Sequence, residues 1–272
     1  MRIVLVGPGR AGQSVAIAAN GAGHEVVAVV ARDTERASTI ARRLGAGVLA
    51  IGEPIPAVDL IIVAVSDHAI EDVAAQVAPV ARNAAARAVH LSGATPVDAL
   101  SPLALQGLAI GSFHPLQTMP TADQGARSIA GSWMAVTADE PLRSELRSFA
   151  ISLGGIPFDL RDEDRTTYHA AATAAANFPT AALAVAQRLL ESTGVPFEAM
   201  RPLVDRIAAN AFELGPSASL TGPIARGDVE TIDAQIGAVR VAAPDLAPAF
   251  EAMVSATADV ANARKEVTHE DR

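Results

Sequence analysis

The sequence predicts an α/β protein, a Rossmann-like and mostly parallel sheet followed by a second, all-helical domain. Short apolar runs alternate with helix-length segments through the first half of the chain. A G-x-G-x-x-G triplet, Gly7, Gly9 and Gly12, directly follows the first run. After Asp162 alanine-rich helical sequence takes over, so the boundary is expected after residue 160, dividing the chain into 1–160 and 161–272.

The elements follow in order. RIVLV, residues 2–6, is the first strand, and the glycine triplet opens a helix over 10–20. EVVAVV (25–30) and a helix over 34–44 come next, then a short strand in AGVLAI near Ala46. DLIIVAV (59–65), a helix over 69–80 and RAVHLS (87–92) complete this run. Strands covered on both faces lose the alternation of half-exposed ones, which is why these segments are apolar almost throughout. LAIGS (108–112), WMAVT (133–137) and IPFDL (156–160) extend the sheet, with a helix near 141–151. Helices are then expected over 164–193, 197–212, 228–240 and 244–264. Pro179 should kink or divide the first of these, because it removes an amide donor and clashes with the preceding turn. The small side chains of these segments permit close helix packing and a dimer interface, although alanine is also simply the best helix former.

Composition excludes several classes of function. Half of the 272 residues are hydrophobic and the net charge is -9, which argues against disorder and leaves no basic footprint for nucleic acid or an anionic membrane. Cysteine is absent, so thiolate catalysis, disulfides and cysteine metal sites are excluded. No clustered metal ligands emerge, and no metal is expected. The opening MRIVLVGPGR lacks the basic region and long apolar run of a signal peptide, and no apolar span approaches about 18 uninterrupted residues; a cytoplasmic protein is expected. The only lysine is Lys265, in the polar tail, which leaves six histidines and Tyr168 to supply most proton chemistry.

The glycine triplet carries the nucleotide reading. Gly7 permits the tight turn, Gly9 lets backbone approach a pyrophosphate, and Gly12 allows the helix to pack closely on the sheet; Arg10 and Ala11 lie between them at the helix start, where exposed amides and the helix dipole favour phosphate. In VVARDTER the second strand is expected to end near Ala31, placing Arg32 for charge-assisted contacts to a 2′-phosphate. NADPH is therefore the expected cofactor. NAD is the alternative if the strand runs on and Asp33 becomes the ribose ligand instead of capping the next helix. Arg36 either reinforces the phosphate pocket or is a solvated helix side chain.

Ligands of such sheets lie beyond the carboxyl ends of the strands, where Ser66, Ser92 and Gly93 would line the cofactor crevice. Asp67 reads better as a helix cap than as a catalytic group, and His90, inside a strand, as a packed histidine. His114, following a short strand, either donates to a substrate carbonyl or carboxylate or locks its turn. In RTTYHAAATAAANFP, His169, Thr173 and Asn177 recur at four-residue steps on one helix side, a pattern that suits either a site wall or a buried polar network. His169 is the leading proton donor, since an ordinary histidine titrates near neutrality; Tyr168 is the alternative acid, and Asn177 can orient the electrophile. In TGPIARGD, Asp228 is explained as a cap, which leaves Thr221 and Arg226 to hold a substrate carboxylate or, alternatively, Arg226 to anchor the turn.

VGPGRAG, HLSG, FHPLQT, YHAAATAAANF and LTGPIARGD, in this order along nearly the whole chain, resemble a two-domain family. It joins a Rossmann-like NADP-binding domain to a helical C-terminal domain of unknown function, within the 6-phosphogluconate dehydrogenase-like reductases. The resemblance implies that 1–160 binds dinucleotide, that 161–272 binds substrate and dimerises, and that a cleft lies between them. Related reductases act on pyrroline-5-carboxylate and ketopantoate; the usual ketopantoate reductases use a lysine on the first helix of the second domain, where this chain has histidine and asparagine. The expected reaction is hydride transfer to a small carboxylate-bearing ketone, ketopantoate by preference. The alternatives are a pyrroline-5-carboxylate reductase-like imine reductase and a non-catalytic NADP(H)-binding regulator.

Overall fold

The computed structural model describes residues 1–81 and 86–270, with side chains described up to residue 263. One eight-stranded sheet organises the first part: β1 (Arg2–Val6), β2 (Glu25–Ala31), β3 (Gly47–Ala50), β4 (Leu60–Val63), β5 (Arg87–His90), β6 (Ala109–Pro115), β7 (Trp133–Ala138) and β8 (Ile156–Asp159). Their order is β3-β2-β1-β4-β5-β6-β7-β8, parallel except where β7 turns back against β6. Successive side chains of β1 serve opposite layers. Ile3 and Leu5 join a core with α1 (Arg10–Gly21), α2 (Thr34–Leu44) and α6 (Leu142–Ser152), while Val4 and Val6 face α3 (Ile70–Ala81) and α4 (Ser101–Ala104). Burial on both faces is the physical reason the central strands β1 and β4 are apolar almost throughout.

Two features of the first part differ from expectation. β6 continues to Pro115, so His114 lies within the strand; past Ser112 the strand pairs only with β7, and a proline there leaves no ladder bond to β5 unmade. The polar segment after it forms α5 (Ala122–Ile129), capped by Thr121, which accepts a bond from the Gln124 amide at 3.2 Å. α5 packs on α1 through Gly125, whose missing side chain makes room for Ser14, and the Ser14 hydroxyl donates to the Ala122 carbonyl at 3.2 Å. Arg43 of α2 pairs with Asp123 at 2.5 Å.

The chain forms two compact units, 1–176 and 177–272. The division falls inside α7 (Arg165–Leu190), seventeen residues beyond the last strand, because the opening turns of α7 are tied to the sheet. α7 runs on through Pro179 without being divided. The second unit continues with α8 (Arg201–Leu214), α9 (Pro216–Ser219), α10 (Pro223–Arg226), α11 (Val229–Ala242) and α12 (Ala247–Glu270). Arg240 of α11 grips Glu251 of α12 with both Nε and Nη2, at 3.0 and 2.7 Å. No helix among the described residues is long and apolar enough to cross a membrane.

Candidate active site

The turn between β1 and α1 has the form of a phosphate cradle. Gly7 has φ +88°, and a Cβ there would sit 2.5 Å from Val65 Cγ1 and 2.9 Å from the Ala64 carbonyl oxygen. At Gly12 a Cβ would meet the Gly7 carbonyl oxygen at 2.7 Å and Ala64 Cβ at 2.8 Å, so only glycine lets α1 approach the sheet this closely. A Cβ on Gly9, by contrast, would meet only the Ala64 oxygen at 3.5 Å, which leaves the outer side of the loop open to a ligand. No side chain caps α1 and no acid lies in its first turn, so the first-turn amides of Arg10, Ala11 and Gly12 are available as donors. These residues fit a dinucleotide pyrophosphate. Arg10 is exposed and its Nη1 donates to the Pro120 carbonyl at 3.4 Å. Ser66 is exposed beyond β4, with its hydroxyl 3.4 Å from His68 Nε2.

At the end of β2 the acid and the base have separate tasks. Asp33 accepts the Arg36 amide at 2.9 Å as the N-cap of α2. Arg32 directly follows the strand and is exposed.

A second group assembles where β5, β6 and α7 meet. The rings of His114 and His169 flank Gly93: a Cβ there would lie 2.7 Å from His169 Nδ1 and 2.9 Å from His114 Nε2. The space above Gly93 thus accommodates the two imidazoles. His114 Nδ1 is 2.8 Å from the Tyr168 hydroxyl, and the His114 ring meets the Tyr168 and His169 rings edge-on. His169 Nδ1 is buried with no hydrogen-bond partner among the described residues. The Ser92 hydroxyl is engaged in its own loop, donating to Thr95 Oγ1 at 2.9 Å and accepting the amides of Ala94 and Thr95.

Beneath this group lies a residue that sequence reasoning passed over. Arg165, 1% exposed, opens α7 and donates to Ser112 Oγ at 2.7 Å, Thr137 Oγ1 at 3.0 Å and the Ser92 carbonyl. A signal was present. Arg165 stands three and four residues before Tyr168 and His169, on the same helix face, and His90, Ser112 and Thr137 form one polar row across β5, β6 and β7.

Burial sets the charge states here. His114 is pushed down to about 4 by burial, then by His169 and Arg165; the Tyr168 phenol is pushed up to about 12 by burial, against the pull of Arg165. His90 is pushed down to about 3, by burial first and then by the Arg165 charge, with the Pro96 carbonyl opposing. Both histidines are uncharged in the fold at neutral pH, whereas in an unfolded chain they take up protons near 6.5. Between those values the unfolded state binds more protons, so stability is full above about pH 6.5 and falls as the pH drops toward 4. Each ring contributes a slope approaching about 1.4 kcal/mol per pH unit. His90→Asn keeps an acceptor for the Ser92 amide, which His90 Nδ1 receives at 3.2 Å, but cannot titrate. Its urea midpoints at pH 7, 6 and 5 are expected to fall less steeply than those of the parent; equal slopes would remove His90 from the acid response.

Other expected site residues lie in the second unit. Asn177 is exposed at its start. Thr221 and Arg226 are exposed around α10, a single turn between Gly222 (φ +95°) and Gly227 (φ +71°). Asp228 caps α11, accepting the Thr231 amide at 3.1 Å and the Thr231 hydroxyl at 2.8 Å; the hydroxyl bond is the main reason its carboxyl lies below the usual range. A cavity of about 530 Å³ opens at the amino ends of the strands, beside Asp59 and Arg87, opposite the carboxyl edge that carries both groups above. No cluster of three or more metal-ligating side chains occurs among the described residues.

Residues 2–89 match the family model described as NADP oxidoreductase coenzyme F420-dependent, and residues 132–257 match that of a domain of unknown function, DUF2520. Among solved structures, a provisionally named NADP oxidoreductase from Bacteroides fragilis is 26% identical, with a TM-score of 0.82 over 95% of this chain and 98% of that one. An imine reductase from Myxococcus stipitatus in complex with NADP+ is 18% identical, TM-score 0.68, over 97% and 95%. A 1-pyrroline-5-carboxylate reductase from Streptococcus pyogenes is 20% identical, TM-score 0.61, over 97% and 98%. No curated protein matches the chain.

Proposed function

Because the chain is built as a Rossmann-like unit followed by a helical one, the architecture of the NADP oxidoreductase and pyrroline-5-carboxylate reductase-like superfamily, we propose that it is an NADPH-dependent reductase of a small, carboxylate-bearing C=N compound. The observation that carries the reading is a buried, unpartnered imidazole nitrogen, His169 Nδ1, held over Gly93 at the carboxyl edge of a sheet with a phosphate cradle. When bound, the reduced nicotinamide supplies a hydride to the substrate carbon. His169 delivers a proton to the nitrogen, so C=N becomes CH–NH, and the imidazole takes up a replacement proton from water. Tyr168, kept as a phenol, orients His114.

The remaining roles rest on residue chemistry. Asn177, two helical repeats beyond His169, orients the substrate nitrogen; Arg226 and Thr221 take its carboxylate, the first with a planar fork suited to the task. Gly7, Gly9, Arg10, Ala11 and Gly12 cradle the pyrophosphate, Ser66 and Gly93 line the crevice, and Arg32 takes the 2′-phosphate. The helical unit serves a homodimer, a reading supported by the exposed Phe178, Leu203 and Phe212. C=N is preferred to ketopantoate because relatives of the same fold are named for imine and pyrroline-5-carboxylate reduction. A C=O substrate is the second reading, favoured by the buried Arg165 cation, which would stabilise a developing oxyanion.

The deciding experiment offers NADPH and NADH with pyrroline carboxylate, ketopantoate and small 2-keto acids, identifying products. The C=N reading expects a reduced cyclic amine; pantoate without amine would overturn it in favour of the ketone. Tight NADPH binding with no product from any compound would favour a non-catalytic regulator. His169→Ala should lower kcat by about 100-fold or more with NADPH affinity nearly unchanged. For Arg32→Ala, the NADPH-to-NADH affinity ratio should fall by about 10-fold, and an unaltered ratio would remove the phosphate contact.

A further inference from the structure

We infer that Arg165 is a positioning residue, whose buried guanidinium ties the opening turn of α7 to the ends of β5, β6 and β7 and thereby sets where Tyr168 and His169 stand over Gly93. The inference rests on the proposed role of His169, and one arm of its test does not. The fork engages Ser92, Ser112 and Thr137, one partner from each strand or its exit. From that anchor the helix repeat carries the side chains three and four positions later to the same face, where Tyr168 meets His114 and His169 meets Gly93.

The arrangement is an expensive way merely to fasten a helix. Arg165 is 1% exposed, and the nearest carboxylate, Asp162, lies 3.8 Å from its Nε and accepts the Val97 amide at 3.1 Å. Burying a cation behind so long an ion pair is unfavourable, and apolar packing generally fastens elements at lower cost. What the cation adds is a fixed positive field beneath the histidines. The titratable groups facing His114 are Tyr168, His169 and Arg165 from α7 and His90 from β5. Burial first, then His169 and the Arg165 charge, keep His114 uncharged, so it can hold the Tyr168 hydroxyl as a neutral ring while proton delivery is left to His169.

The test uses two variants of the full chain. Arg165→Lys keeps the charge but lacks the planar fork needed to reach three partners at once. Its kcat is expected to fall about 10-fold or more, with the Km for NADPH within about twofold of the parent, because Arg165 makes no contact with the glycine turn. Arg165→Met removes the field. Carbon-13 NMR of labelled histidine, with the His114 signal assigned by its loss in His114→Gln, should show the His114 midpoint rising measurably above its parental value in Arg165→Met and staying low in Arg165→Lys. An unchanged kcat in Arg165→Lys, or an unmoved His114 midpoint in a folded Arg165→Met, overturns the inference. Should Arg165→Met fail to fold, Ser112→Ala with Thr137→Val removes two partners of the fork and keeps the charge; parental kcat there overturns it equally. The NMR arm needs no substrate, so failure of the reductase reading leaves it interpretable.

Discussion

Gly93→Ala is expected to reduce turnover by about 100-fold while leaving dinucleotide affinity within a few-fold of the parent. The backbone at Gly93 does not demand glycine, since its φ lies outside the left-handed region. The demand comes from its neighbours: the added methyl would lie 2.7 Å from His169 Nδ1 and 2.8 Å from His114 Cε1, well inside van der Waals contact. His114 is pinned by Tyr168 and buried around its ring, so His169 is the freer of the two to move. A displacement of about 1 Å in a proton donor is enough for a loss of about 100-fold. Overpacking should also lower stability by about 1–3 kcal/mol, which thermal unfolding would register separately. Parental kcat in a folded Gly93→Ala chain would show that the imidazoles above it take no part in the reaction.

The second large effect concerns the cradle. Gly12→Val should abolish measurable NADPH binding, a loss of at least about 100-fold, because the side chain would enter space bounded by the Gly7 carbonyl, Ala64 Cβ and Leu5. Two of these neighbours are main chain or a stub on it and cannot swing away. The start of α1 must lift from β1, moving the first-turn amides from the phosphate position. Fluorescence titration with NADPH, read alongside melting temperature, separates lost binding from lost fold. Gly9→Ala makes the control, since its Cβ meets nothing of the protein closer than 3.5 Å. Its stability should be near parental even if the ligand is hindered.

Local sequence logic carried the sheet. β1, β2, β4 and β5 are read directly because strands covered on both faces must be apolar, and the glycine triplet because turn and packing constraints are local. α5 escaped notice because its inward stripe, Ala122, Gly125, Ala126 and Ile129, spans only eight residues and is built mostly of small side chains. Arg165 escaped because arginine is normally a surface residue, and its burial is intelligible only once three distant strands supply acceptors. The pairing of His114 with Tyr168 joins residues 54 positions apart, and no periodicity of the chain encodes it. The placing of His169 over Gly93 is likewise not encoded in the alanine-rich helix alone.

The docking of α5 against α1 has a practical corollary for anyone redesigning this protein. Only residues 116–121 separate β6, which carries His114, from α5, which packs on the helix behind the glycine turn, so sculpting α1 to alter coenzyme choice would send strain toward the histidine that Tyr168 pins. The exposed Arg32, between β2 and the Asp33 cap of α2, offers a quieter place to cut.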